Sequence, residues 1–182
     1  MNRTATQLLV LMVFAATLVL GLPGRAHAGR FDRAGTWNGE LGVGAFILDD
    51  ESGFSVSGRA RYYFTDHLAV GPAVTAGFTD NIKVYNLRML LRMGTVLGEK
   101  SSSPFEIYSE ACAGAIIFDY DANPTAIPPT LASTDTALVI PFGGGFVWHI
   151  APGFGIQGGA LMNVTTDSRE EFYPEFFAGI FF

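Results

Sequence analysis

The sequence has one cysteine, Cys112, so no disulfide forms within the chain and no cysteine-rich metal site can be built. Charge is sparse: 15% of residues are Asp, Glu, Lys or Arg, and the formal net charge is −6. No basic cluster exists, which excludes nucleic acid as a partner because nothing neutralises phosphates. Histidine is scarce as well (three residues), and no set of side chains has metal-ligand spacing. Beyond Gly29 the apolar repeat of an amphipathic helix is missing.

What is present begins with a processing signal. Asn2-Arg3 is a short basic start, Leu8 to Leu20 ("LLVLMVFAATLVL") is apolar, and "AHA" at 26–28 is a small-residue cleavage site. The apolar run is shorter than the roughly 20 residues a spanning helix needs. Residues 1–28 are therefore expected to be a cleaved signal peptide, with the mature chain at 29–182.

The mature chain repeats with period two, the spacing of strands. Alternation predicts strands at 37–47, 54–64, 68–79, 83–95, 105–118, 136–150, 154–164 and 172–182. Ile82 and Val84 are apolar out of phase with the rest of their strand, which predicts a bulge near Val84. Pro72, Pro141 and Pro174 fall inside predicted strands, where each forfeits a ladder donor and counts against those bounds. Eight strands of this length predict an all-β, antiparallel up-and-down barrel.

Volume decides which face points out. One face carries Trp37, Tyr62, Phe64, Phe105, Phe142, Phe146, Trp148, Phe154, Phe172, Phe176 and Phe182. So many rings overfill the interior of an eight-stranded barrel. The other face is glycine, serine, arginine and glutamate. A transmembrane barrel, apolar outside and polar inside, fits; a lipocalin-like barrel does not. Trp37, Tyr62, Phe64, Phe105, Trp148, Phe154 and Phe182 gather at one end of their strands, as a membrane-interface girdle does.

With its signal peptide, its terminal "FFAGIFF" and the hairpin-like "RYYFTDHLAVGP" (61–72), loosely repeated at 146–159, the chain resembles the small outer-membrane β-barrel proteins of the OmpA, OmpX and opacity type. The resemblance covers 30–182 and implies a Gram-negative outer membrane, both termini periplasmic, contact with lipid and lipopolysaccharide, and a C-terminal Phe182 read by the barrel-assembly machinery. It implies no single activity and no cofactor. In that orientation the outer loops are 49–53, 80–82, 119–135 and 165–171, and the inner turns 65–67, 94–104 and 151–153.

The inward face predicts a charge network of Glu40, Arg59, Arg61, Arg88, Arg92, Glu106, Glu110 and Glu175. If Ile47 faces Phe54, Glu40 lands opposite Arg61. If Met93 faces Phe105, Arg92 lands opposite Glu106 and Arg88 opposite Glu110. Such pairs plug a narrow lumen; the alternative is a narrow pore for small solutes. No triad is legible, since Ser109 faces lipid without a histidine and His149 points inward at the wrong end. A lipid-modifying enzyme is thus a minor alternative, and the expectation is no enzyme. The acidic outer loops either share divalent cations with lipopolysaccharide or are simply solvated. Loop 119–135 is the one long excursion and the place for an external ligand.

Overall fold

The computed structural model describes residues 33–48, 51–97, 104–122, 131–166 and 171–182. The expected signal peptide and cleavage point lie outside these residues.

Alternation of side chains sets the architecture: buried and more exposed residues alternate along most of the strands, most regularly in β4 and β5. The strands are β1 (Thr36–Leu48), β2 (Glu51–Tyr63), β3 (Leu68–Phe78), β4 (Ile82–Val96), β5 (Phe105–Tyr120), β6 (Ser133–Ala151), β7 (Phe154–Thr165) and β8 (Phe172–Phe181). They pair in chain order, all antiparallel, and β8 closes on β1. Closure leaves no sheet edge along the wall, the condition for placing strands in hydrocarbon. Leu41 pairs with Ile180 and Val43 with Ala178, so the phenylalanine-rich C-terminus is the seam strand.

The exterior is apolar. Val43, Leu87, Met93, Leu138, Phe142 and Phe176 are all exposed there, though water would disfavour each. No soluble monomer tolerates an apolar patch running around its girth. The fold is that of a transmembrane β-barrel.

Several expectations need correction. The β1–β2 register is displaced by two residues: Ile47 pairs with Ser52, and Glu40 with Arg59 rather than Arg61. Leu48 pairs with Glu51, so the ladder runs closer to the connection than expected, and a shorter connection slides the register. The β4–β5 register is displaced by four. Arg92 pairs with Glu110, not Glu106, and Arg88 with Gly114, not Glu110. Here the strands run on until Leu97 N–H bonds Phe105 C=O, which shortens the connection.

No bulge occurs at Val84. Ile82 and Val84 point inward in unbroken register. The register shift lies instead between His149 and Ala151. The prolines stay within their strands. The β2–β3 ladder skips Pro72, the β5–β6 ladder skips Pro141, and the β1–β8 ladder stops one residue short of Pro174. Each missing donor costs a local gap and not a strand. Finally, β5 reaches Tyr120 and β6 starts at Ser133, so the long excursion narrows to 121–132.

Candidate functional site

The interior is built in layers between the end at which the described chain enters β1 and leaves β8, the termini end, and the opposite, loop end. At the termini end Arg33, just before β1, folds across the mouth. Its Nη1 donates to Glu106 Oε2 (2.9 Å) and Tyr63 Oη (3.2 Å), and its Nη2 to the Asp66 carbonyl (2.6 Å). The guanidinium also lies 4.4 Å from the Tyr63 ring centroid. Gly35, at φ +79°, makes the turn that brings Arg33 back, a conformation glycine adopts freely. His149 Nε2 lies 3.0 Å from Glu106 Oε2, so this one carboxylate holds both Arg33 and His149.

The next layer holds Glu40, Arg59, Arg61, Arg92 and Glu110, each at most 3% exposed. Glu110 accepts from Arg59 Nη1 (3.1 Å) and from Arg92 Nη2 (3.0 Å) and Nε (3.2 Å). Glu40 lies 3.0 Å from Arg61 Nη2 and 3.4 Å from Arg59 Nε. Neither Glu40 oxygen meets a donor at hydrogen-bonding angles, so its hold on these cations is Coulombic and not directional. Arg92 Nη1 donates to Gln157 Oε1 (3.0 Å). Rings flank the cations: Arg92 stands 3.5 Å from the Tyr108 centroid and Arg59 4.2 Å from that of Phe177.

A third layer is thinner. Arg88 reaches across the lumen to Glu175 Oε2 (3.4 Å) on β8 and Asn163 Oδ1 (3.3 Å) on β7, and bonds Thr75 Oγ1 (3.2 Å) on the adjacent β3. A small cavity lined by Ser55, Thr75, Asn86 and Glu175 lies on its loop side. The last layer is apolar, which sequence reasoning missed. Phe46, Leu48, Ile82, Val84, Ile116, Phe118, Ala137, Val139 and Tyr173 form one buried cluster. Both faces of the barrel are apolar at this level, so polarity could not say which side was inside.

All eight acidic and basic residues expected in the lumen are thus inside the barrel, in three separate groups: Glu40 meets Arg61 as expected, whereas Arg92 meets Glu110 and Arg88 meets Glu175 in place of the expected Glu106 and Glu110. Sequence reasoning also missed Arg33, which stands outside any alternating segment, and Tyr108, Gln157 and Asn163, whose roles depend on neighbours across the lumen. Arginine so close to the expected mature start, followed by Gly35, was the available hint.

On the exterior at the termini end, Trp37, Phe64, Phe105, Trp148 and Phe154 are 40–57% exposed, while Tyr62 and Phe182 are half-buried. Neighbouring rings touch: Trp37–Tyr62 at 5.4 Å, Tyr62–Phe64 at 5.0 Å and Phe105–Trp148 at 6.1 Å between centroids. Ser109 sits on the exterior beside Met93 and Gly144, whereas His149 is buried in the lumen; the two are not brought together. Cys112 is buried, with its Sγ 3.8 Å from Glu110 Oε1. Among the described residues no cluster of His, Cys, Asp or Glu is arranged to hold a metal ion.

The loop-end rim is uneven. The β5–β6 ladder continues to Tyr120↔Ser133, but the β6–β7 ladder ends at Val139↔Thr165. Beyond it Thr166 exchanges hydrogen bonds with Leu138 at 3.0 Å, through its N–H and its Oγ1. By the two-residue repeat, the backbone groups of Thr136 and Thr134 face the same way, along the stretch where β7 no longer pairs. Around this ribbon lie Glu51, Asp80, Asp119, Asp121, Asp135 and Glu171. Lys83, whose Nζ is 2.8 Å from Asp121 Oδ2, is the one lysine or arginine there among the described residues.

An apolar outer wall, an ion-paired interior and eight closed antiparallel strands define a small membrane-spanning barrel. The crystal structure of Neisserial surface protein A has this fold, with a TM-score of 0.62 at 15% identity over 80% of this chain and 94% of that one. Two further solved barrels are similar at lower scores. Ail of Yersinia pestis, crystallised with the heparin analogue sucrose octasulfate, gives 0.48 at 12% identity over 80% of this chain and 96% of that one. The N-terminal barrel of Pseudomonas aeruginosa OprF gives 0.47 at 15% identity over 80% and 97%. At these identities the likeness is one of fold. No family model and no curated protein matches the chain.

Proposed function

We propose that this chain is an integral outer-membrane barrel, closed to solutes, whose role is structural and interactive: it holds an acidic β-ribbon beyond the membrane. The observation that carries the reading is the length of β6. Its 19 residues are roughly twice what a tilted strand needs to cross a bilayer, and the excess is at the loop end. Rigid strand, and not only loop, therefore projects from the rim, which suits presentation to a partner. The layered ionic and apolar fillings support closure and weigh against the narrow pore. Outside the barrel, lipid and lipopolysaccharide meet the apolar wall and its aromatic ring, and Phe182 offers the C-terminal aromatic to the assembly machinery.

Two measurements test the reading. The purified, folded protein should give no discrete conductance in planar bilayers, and regular ohmic steps would refute closure. Replacing 121–132 by a two-residue turn should leave the heat-modifiable fold intact while removing any binding to host or matrix components that intact cells expressing the wild type display. Unchanged cell binding would refute the ribbon's role.

A further inference from the structure

In the central layer three guanidinium groups, Arg59, Arg61 and Arg92, share two carboxylates, Glu40 and Glu110. The other lumen carboxylates are committed elsewhere: Glu106 to Arg33 and His149, Glu175 to Arg88. At the mouth Asp66 accepts the backbone N–H of Arg33 and sits at the periphery of that outer group. The central layer therefore carries one positive charge more than its own carboxylates balance. All five groups are shut away from solvent, and a buried charge without a counter-charge is costly.

A second observation points the same way. Arg61 is 1% exposed and makes one ion pair, with Glu40; its Nε and Nη1 meet no acceptor. Arg59 Nη2 and Gln157 Nε2 are also buried donors without acceptors, as is the Tyr108 hydroxyl. The two Glu40 oxygens are unmatched as well, but the unmatched donors outnumber them, so the shortage in this layer is of acceptors. Water would satisfy a donor but leave the charge; a compact anion answers both. The rings of Tyr108 and Phe177 already fill part of the layer, which favours a monatomic ion over an organic acid or phosphate.

We propose that the centre of the barrel is a binding site for one small inorganic anion of the halide class, held chiefly by Arg61 and taken up as the barrel folds. Ligand that binds only the folded state raises stability with the logarithm of its concentration above the dissociation constant. The test is urea unfolding of the folded protein in detergent micelles, followed by tryptophan fluorescence, with sodium gluconate replaced stepwise by sodium bromide at fixed ionic strength. Gluconate serves as the bulky organic control anion. The wild-type midpoint should rise with bromide relative to two charge-balanced variants, Arg61→Gln, which makes two cations and two carboxylates, and Gln157→Glu, which makes three of each. General salt effects act on all three proteins alike and cancel in the comparison. Gln157→Glu nearly preserves side-chain shape, so it keeps the test open if Arg61→Gln fails to fold. Bromide titrations that run parallel in wild type and Gln157→Glu would overturn the proposal.

Discussion

Replacing Glu110 by glutamine is the sharpest test of the ion-paired interior. Shape is nearly kept, so packing changes little. Charge is not: Arg59, Arg61 and Arg92 are left with Glu40 alone, whose contacts are poorly directed. Three short hydrogen bonds at 3.0–3.2 Å from two arginines lose their ionised acceptor. Breaking a buried pair by removing one partner costs about 3–5 kcal/mol, because the remaining charge stays buried. The glutamine oxygen recovers a neutral hydrogen bond of about 1 kcal/mol at most, while its amide N–H₂ faces cations. A net loss of about 2–4 kcal/mol follows. It should appear as a lower urea midpoint at unchanged slope, measured in gluconate so that no small anion compensates. Removing a cation as well, in Arg92→Met with Glu110→Gln, should return much of the loss, since no excess charge is then added. A single-variant loss under about 1 kcal/mol, the range of solvent-exposed pairs, would show that water reaches this layer and would refute a sealed interior.

Further outcomes follow from other parts of the barrel. Both tryptophans, Trp37 and Trp148, lie on the outer wall at one end, so lipids brominated near the glycerol should quench their emission more than lipids brominated at the chain terminus; equal protection from both would place the indoles inside. Gly114→Ala should destabilise the barrel by more than about 1 kcal/mol, because its Cβ would stand 2.1 Å from the Leu87 carbonyl oxygen and 2.5 Å from the Arg88 Cα, which are backbone atoms; a neutral effect in urea unfolding would contradict the close approach of β4 and β5. Arg33→Ala should loosen the mouth without producing conductance, because the apolar layer of Phe46, Ile116 and Phe118 still closes the far end; steady single-channel steps from this variant would show that Arg33 alone is the seal.

The barrel was legible in the sequence for a simple reason. Strands show alternation, and here the two faces differ strongly over most of each strand: Leu87, Met89 and Leu91 against Asn86, Arg88 and Arg92. Register was not legible, because alternation is unchanged when a strand slides by two or four residues. The true pairing hung on the length of the connections between Leu48 and Glu51 and between Leu97 and Phe105, which alternation does not encode. The same limit hid Arg88's partner. Glu175 lies four strands away around the wall, and only the narrow lumen brings them within 3.4 Å.

The misreading of Ile82 and Val84 shows how the two ends of this barrel differ physically. A bulge was expected because the inside was taken to be polar throughout. In fact the lumen changes character along its axis, from ion pairs near the termini to Phe46, Ile116, Phe118 and Val139 at the loop end. Ion pairs fix where strands sit, since a slip of two residues would bury arginines without partners. Apolar packing fixes nothing so specific, but it excludes water at no desolvation cost. Placing the apolar layer beneath the projecting β5–β6 ribbon shields the paired charges on that side, and Arg33 shields them on the other. Charges sealed from both ends act at low dielectric, where each unmatched group counts for more than it would in water. An uneven count of arginines and glutamates in the central layer therefore cannot be incidental to stability: it must be met by an acceptor from outside the chain or borne as a deficit, and the bromide titration separates the two.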